Sequence, residues 1–404
     1  MKFFLRFLVF GIIAFSSLES KSQKHCGWEI YYEQNKHQAQ FIQKIDELNL
    51  LNKQVQHTKT GDEYIIPTVI HVIYKNSVEN ISVAQIESQI RVINEDFRKR
   101  NTDTSIVKPG FSIADSKISF CLAQRDPDGN ETDGITRTST QIDNVCALNS
   151  TQYYQLAPAW DTDKYLNIWV CDIDGQTAGY AFPPGIVASI KDGVVVDFTN
   201  FGTIGSVVPP YDKGRSATHE IGHWLNLSHP WGNANNNSNC TNDDGVSDTP
   251  LQDGPVLACP QNRTSCGSPD MLSNFMGFVD DACMANFTEG QKTRMRNALI
   301  NGRSELITAN GCLPVGIKKV SLLETVELYP NPANEKIMLV VPIEIMTKEL
   351  EISLYNISGK RLSTQTKSVH KGLEIETNTL ASGIYFLNIK SKNEQLIKKF
   401  IIQH

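Results

Sequence analysis

A basic excess is missing from this 404-residue chain. Its formal net charge is −6, mild for the length. That argues against a nucleic-acid binder and leaves no cationic patch for a membrane surface. Long apolar runs are missing after the N-terminal segment, so no internal helix is expected to span a bilayer. Cysteine is missing after Cys312, although nine cysteines fall between Cys26 and Cys312, both included. That division sets a cysteine-bearing region apart from a cysteine-free C-terminal one. Nine is odd, so disulfide pairing leaves at least one thiol over.

The N-terminus reads "MKFFLRFLVFGIIAFSSLESKSQ". Lys2 and Arg6 give a positive start, Phe7 to Phe15 an apolar core, and Ser20 and Ser22 the small residues of a cleavage site. The pattern predicts a signal peptide over 1–22 and an exported mature protein without a membrane span, where disulfides are favoured.

The length calls for two or three domains. Residues 23–62 are polar and helix-like in "QAQFIQKIDELNLLNKQ". They read as a pro-segment, or alternatively as a helical cap on the main domain. Residues 63–314 carry a mixed pattern, opening with "YIIPTVIHVIY". Ser82 begins a capping box with Gln85, and Ile86, Ile90, Ile93 and Phe97 recur at helical spacing. Strands are expected at "KISFCLA", "YLNIWVCDI" and "GVVVDF". Gly232 to Asp281 is rich in Asn, Asp, Gly and Pro and reads as loop. Thr288 and Gln291 cap a further helix. After a linker at 315–327, residues 328–404 alternate apolar positions, as at Ile337, Leu339 and Val341, and predict a small all-β sandwich. The expected fold class is α+β: a twisted mixed sheet with helices over an irregular lower subdomain, then that sandwich.

The chemistry is concentrated in "HEIGHWLNLSHPWG". His219 and His223 are four apart and share one helical face, where two neutral imidazoles can hold one zinc ion. Glu220 beside them is placed to act as general base on a metal-bound water and then as proton donor to a leaving amine. His229 reaches the same metal only if the helix ends and the chain turns back. That turn needs a positive φ near Asn226, and asparagine is the residue most tolerant of it after glycine. Cys26, in "KHCGWE", offers a thiolate as a fourth zinc ligand that would displace the water; the alternative is a free or incidentally paired thiol.

"HEIGHWLNLSH" resembles the zinc signature of metzincin proteases. Together with "IPTVIHVIY", "DDGVSDTP" and "NFMGF", it resembles the pappalysin family, over about Tyr64 to Pro314. The resemblance implies a secreted zinc endopeptidase acting on protein or peptide substrates. Met276 would be the methionine of the turn beneath the metal. Substrate would lie along an edge strand, for which "DGVVVDF" or a neighbouring stretch is the candidate; the alternative for "DGVVVDF" is a plain core strand. Calcium would bind at Asp243, Asp244, Asp248 and Thr249. Cys240 would pair with Cys266 and Cys259 with Cys283, leaving Cys121, Cys146, Cys171 and Cys312 for two bridges of open connectivity. Asp281 would form the floor of the S1′ pocket, with no lysine or arginine near it in sequence, and favour cleavage before Arg and, less well, before Lys. "C-G" in the pro-segment resembles the cysteine switch of related zymogens. Phe278 departs from the family, many of whose members have tyrosine there.

"LYPNPANEKI", "ISLYNISGKRL" and "SGIYFLNI" resemble, in order, the type A C-terminal sorting domain of the type IX secretion system. That implies export through the periplasm to the outside or surface of a Bacteroidetes-type bacterium, with the secretion machinery as partner. The rival reading of the whole is a non-catalytic secreted adhesin on a metzincin-like scaffold. The complete histidine set with Glu220 argues against it.

Overall fold

The computed structural model describes residues 24–53, 63–232, 240–314, 326–340, 350–363, 365–369, 372–391 and 394–404. The expected signal peptide, the end of the expected pro-segment and most of the expected linker lie outside these residues. The chain forms two compact units, Met1–Pro314 and Val315–His404.

In the first unit the elements begin with His25–Cys26 (β1), Gly27–Asn35 (α1), Ala39–Lys53 (α2), Tyr64–Tyr74 (β2) and Val83–Phe97 (α3). Ile118–Leu122 (β3), Ile135–Ser139 (β4), Gln152–Leu156 (α4), Leu166–Cys171 (β5), Thr177–Ala181 (β6) and Val194–Asp197 (β7) follow. Arg215–Trp224 (α5), the short pair Thr264–Ser265 (β8) and Ser268–Pro269 (β9), and Glu289–Gly302 (α6) complete it. The main sheet runs β1-β6-β7-β5-β2-β3, with β4 also on β2. β2 lies inside it and is covered on both faces, which is why it reads as one apolar run rather than an alternation.

One face of the sheet packs on α3, α5 and α6 through Ile70, Val72, Ile93, Phe97, Ile221 and Met295. The opposite face carries Trp169, Tyr180 and Phe182, and there the core is completed by Trp28 of α1 and by Phe41 and Leu48 of α2. The expected pro-segment is thus part of a hydrophobic core and covers a face of the sheet.

Two expectations change. "GVVVDF" is not an edge: β7 lies between β6 and β5, and all four of its residues are buried. The outer strand of the fold proper is β6, the one strand antiparallel to β7, and β1 is added to it in parallel. β6 reads "TAGYA" because space is short there. A Cβ at Gly179 would lie 2.7 Å from the Val195 carbonyl and 2.9 Å from Cγ of Glu220. The capping box at Ser82 is half made. Ser82 Oγ accepts from the Gln85 amide at 3.1 Å, but the Gln85 side chain donates to the Phe201 carbonyl at 2.9 Å and to Ser206 Oγ at 3.0 Å. A buried loop carbonyl must be satisfied, and that demand outcompetes the cap. At α6 the box is complete: Thr288 Oγ1 accepts from Gln291 N, and Gln291 Oε1 from Thr288 N.

Disulfides join Cys121 to Cys312 and Cys146 to Cys171, closing the two pairings left open by the sequence. Cys240 is bonded to Cys266 and Cys259 to Cys283, so the loop-rich stretch is stapled where a core is thin.

The second unit is built from Glu327–Tyr329 (β10), Lys336–Val340 (β11), Glu351–Asn356 (β12), Arg361–Leu362 (β13), Thr366–Val369 (β14), Gly372–Glu376 (β15), Gly383–Ser391 (β16) and Glu394–Ile402 (β17). They form two antiparallel sheets, β10-β11-β15-β14 and β13-β12-β16-β17, around Ile337, Leu339, Leu354, Ile375, Leu387 and Phe400. Val341, expected to continue the alternation, lies outside the described residues.

The complete cap generates a test. Thr288→Ala removes the acceptor for Gln291 N and the hydroxyl that donates to Asp248 Oδ1 at 2.6 Å. It is expected to destabilise the first unit by about 1–2 kcal/mol, with Thr288→Ser recovering most of that, as read from chemical denaturation. Equal stability of the Ala and Ser variants would contradict this.

Candidate active site

The site is organised by how α5 ends. Leu227 N donates to the Gly222 carbonyl at 2.9 Å and Asn226 N to that of His223 at 2.8 Å, the double bond of a Schellman turn. Asn226 sits at its left-handed position, with φ 68°. Arg294 of α6 donates to the Asn226 and Asp244 carbonyls and ties this turn to the acidic loop. The turn sends His229 back towards the helix.

The three imidazoles meet edge to edge. Nε2 of His223 is 3.1 Å from that of His219 and 3.0 Å from that of His229, and the third separation is 3.3 Å. His219 Nδ1 donates to the Phe275 carbonyl and His223 Nδ1 to that of Leu227, each at 2.8 Å. A neutral imidazole that donates through Nδ1 has a bare lone pair on Nε2. Burial keeps the rings neutral: it pulls His219 down to about 4 and His223 and His229 well below their usual range.

Beneath them, Asn274 to Gly277 form a tight turn, closed by Gly277 N on the Asn274 carbonyl at 2.9 Å. Met276 within it is fully buried, and its Sδ occupies the place where a Cβ on Gly222 would stand. Phe278 lies 4.8 Å from the His229 ring and 5.8 Å from that of His219, an apolar wall for both.

Cys26 completes the cluster. Its Sγ and the three histidine nitrogens all lie within 4.8 Å of one another, the one such group of His, Cys, Asp or Glu among the described residues. Its thiol also faces Oε2 of Glu220 at 3.6 Å. Burial first, and then the Glu220 charge, push this thiol up. Burial also pushes the Glu220 carboxyl up to about 8. Cys26 carries no disulfide, and β1 brings it opposite Gly179 of the outer strand.

Asp281 lines a pocket with His219, Glu220, Gly277, Phe278 and Val279. Its carboxylate is buried, and Oδ2 accepts from the backbone of Lys213 at 2.9 Å and of Arg215 at 3.2 Å. Burial pushes it up to about 7. The sequence shows no cation beside it, but the fold does: the Arg215 charge acts on it, although that guanidinium is paired with Asp96 and Asp103.

The acidic loop does not gather. Asp244 accepts from Thr249 Oγ1 and Val246 N, while Asp248 accepts from Thr288 Oγ1, Ser112 Oγ and Gly290 N at the start of α6. Asp243 accepts from Gly245 N. Each carboxylate has its own protein donors.

Sequence reasoning missed the contributions of Gly222, Gly179 and Lys24. A glycine inside "HEIGH" is a legible hint of close approach on one face. Nothing local marks Lys24, which is described below.

A family model described as Pregnancy-associated plasma protein-A matches residues 150–300, and one described as a secretion system C-terminal sorting domain matches residues 327–403. A solved promirolysin variant of Tannerella forsythia is 39% identical, over 70% of this chain and 97% of that one, with a TM-score of 0.64. Mature mirolysin from the same organism, in complex with a cleaved peptide, is 42% identical over 61% and 96% of the two chains, with a TM-score of 0.57. Extracellular metalloprotease 1 of Coccidioides posadasii is 32% identical over 240 residues, 57% of this chain and 75% of that protein. The chain belongs to the pappalysin family of secreted metalloproteases, followed by a C-terminal sorting domain of the type IX secretion system.

Proposed function

We propose that this chain is the latent precursor of a secreted zinc endopeptidase that cuts before arginine and, less well, before lysine. One observation carries the reading: the Nε2 atoms of three neutral imidazoles and the Cys26 thiol converge beside a buried glutamate. Four ligands held about 2.0–2.1 Å from a tetrahedral zinc lie roughly 3.3–3.4 Å apart, close to the 3.0–3.3 Å seen between the histidine nitrogens. Without a shared cation those lone pairs repel. The donor set therefore fits zinc, with His219, His223 and His229 as its ligands.

When bound, zinc supplies Lewis-acid polarisation of the scissile carbonyl and acidifies its water. The protein's own residues do the rest. Glu220 would take a proton from the attacking water and return it to the leaving amine. The outer strand β6 offers main-chain hydrogen bonds to an extended peptide, as it does to β1. Phe278 cannot donate a hydrogen bond to the tetrahedral intermediate; it excludes water from the histidines instead. In the precursor, Cys26 holds the position beside Glu220 that the water needs. The family likeness to a promirolysin structure supports a precursor of this kind.

Specificity is assigned to Asp281. A buried carboxylate lining a pocket beside Glu220 favours a side chain that brings its own positive charge, and a guanidinium can engage it with two hydrogen bonds.

Three outcomes are expected. Glu220→Ala should retain one zinc per chain by elemental analysis and lose about 10²–10⁴ in kcat; turnover close to that of the unchanged enzyme would reject its role. The Cys26→Ala precursor should hydrolyse peptides without prior removal of its N-terminal segment, as followed by turnover and N-terminal sequencing together. Full latency would assign the block to the packing of α1 and α2 alone. In a peptide-library digest, Asp281→Ala should flatten the Arg preference more than it lowers total cleavage. Hydrophobic enrichment after the cut in the unchanged enzyme would sink this assignment.

A further inference from the structure

The pro-segment places one more group on the enzyme, and it does not belong to the metal site. Lys24, two residues before Cys26, extends its ammonium to Asp197 Oδ1 at 3.1 Å, Thr199 Oγ1 at 3.0 Å and Asn200 Oδ1 at 2.7 Å. Three N–H donors meet three oxygens, which satisfies an ammonium completely. Its backbone N–H donates to Tyr211 Oη at 3.0 Å. All four partners lie in the enzyme, at the end of β7, in the turn after it and in the loop before α5.

The acceptors are built independently of Lys24. The Asp197 side chain is only 3% exposed, and it is held in place by Thr199 N at 3.0 Å and Ile173 N at 3.4 Å. Asn200 is buried as well. Once the pro-segment leaves, the Asp197 carboxylate and the Asn200 amide oxygen lose their cation and are free to take another. Lys24 and Tyr211 also line the pocket of Asp281, so this cluster lies on the same side of the histidines as that pocket.

The geometry points to a second cation subsite, formed by Asp197, Thr199 and Asn200, that takes a lysine of the peptide substrate at the second or third position after the cut. Lysine is favoured over arginine there because three oxygens converge on one point, which suits a compact ammonium rather than a planar fork. The subsite therefore selects differently from Asp281. This inference rests on the endopeptidase reading and goes beyond it by a second substrate residue.

The test uses the activated enzyme, freed of its N-terminal segment, and peptides with arginine directly after the cut, carrying Lys, Arg or Met at each of the next two positions. At one of these positions kcat/KM should be about tenfold higher for Lys than for Met, with Arg between them, the gain expected of a charge-assisted hydrogen-bond set. In Asp197→Asn the Lys-to-Met ratio should fall towards one. A second arm needs no turnover: calorimetry of a synthetic peptide of residues 23–36 binding to the activated enzyme. Its Lys24→Met version should bind about tenfold more weakly, a gap that closes in Asp197→Asn. A Lys-to-Met ratio of one in the unchanged enzyme, or a ratio preserved in Asp197→Asn, overturns the subsite. Failure to cut any peptide sinks the endopeptidase reading instead, and the calorimetric arm then decides the subsite alone.

Discussion

Three imidazole nitrogens brought to one point are the constraint on which the lower half of this enzyme depends. Their nitrogens sit 3.0–3.3 Å apart, and two of the rings are locked by Nδ1–H bonds to the Phe275 and Leu227 carbonyls. That arrangement is repulsive by itself and favourable only around a cation, so the surrounding structure has to hold it in advance. It does so with few parts. The Schellman turn at Asn226 both reverses the chain and presents the Leu227 carbonyl. The turn at Met276 presents the Phe275 carbonyl and fills the hollow under Gly222. Asn274 and Gln291 join that turn to α6 through a pair of amide hydrogen bonds, 2.9 and 3.0 Å long. Helix α6 also supplies Arg294 to the Asn226 carbonyl. One helix thus braces both turns that orient the histidines.

Latency is built from the same two ingredients as the fold. The pro-segment adds a strand to the open edge of the sheet and a set of apolar side chains to its uncovered face. Trp28, Phe41 and Leu48 are buried, and each is worth on the order of 2–3 kcal/mol of apolar burial before entropy is counted. Ordering a helical pair costs much of that. The specific contacts at Cys26 and Lys24 therefore fix where the segment sits, while the apolar helices decide how firmly it stays.

Much of this was legible in the residues. The spacing of His219, His223 and His229 named the ligands to be tested, and asparagine at 226 was compatible with the positive φ that the turn adopts. Periodicity located β2, α3 and α6, where long patterns dominate. Legibility failed where a side chain had two possible partners. Ser82 and Gln85 have the spacing of a capping box, yet the glutamine serves a loop more than a hundred residues away. β6 was overlooked because "TAGYA" has no β-branched alternation; its small residues reflect crowding against Glu220, which is a tertiary fact. "GVVVDF" stayed open between edge and core strand because apolarity alone does not say whether a strand has one neighbour or two. For the loop carboxylates, sequence shows how many oxygens are close, while the fold adds which N–H groups they already hold.

The cleft carries three buried carboxylates, and the latent form answers each one differently. Glu220 faces the Cys26 thiol, Asp281 takes backbone N–H groups, and Asp197 takes the Lys24 ammonium. Burial raises the proton affinity of the first two, to about 8 and about 7, so each is most easily kept ionised by a neighbouring positive charge. A metal beside Glu220 and a cationic side chain beside Asp281 are charges of that kind. The pro-segment matches this pattern in part: a soft ligand at the histidines and a cation two residues away. On the proposed reading, it would block the site by answering the same electrostatic demands as a substrate. It pairs in parallel with β6 where β7, the strand's other neighbour, is antiparallel. Its backbone thus meets the edge strand while its thiol, rather than a scissile carbonyl, faces the histidines.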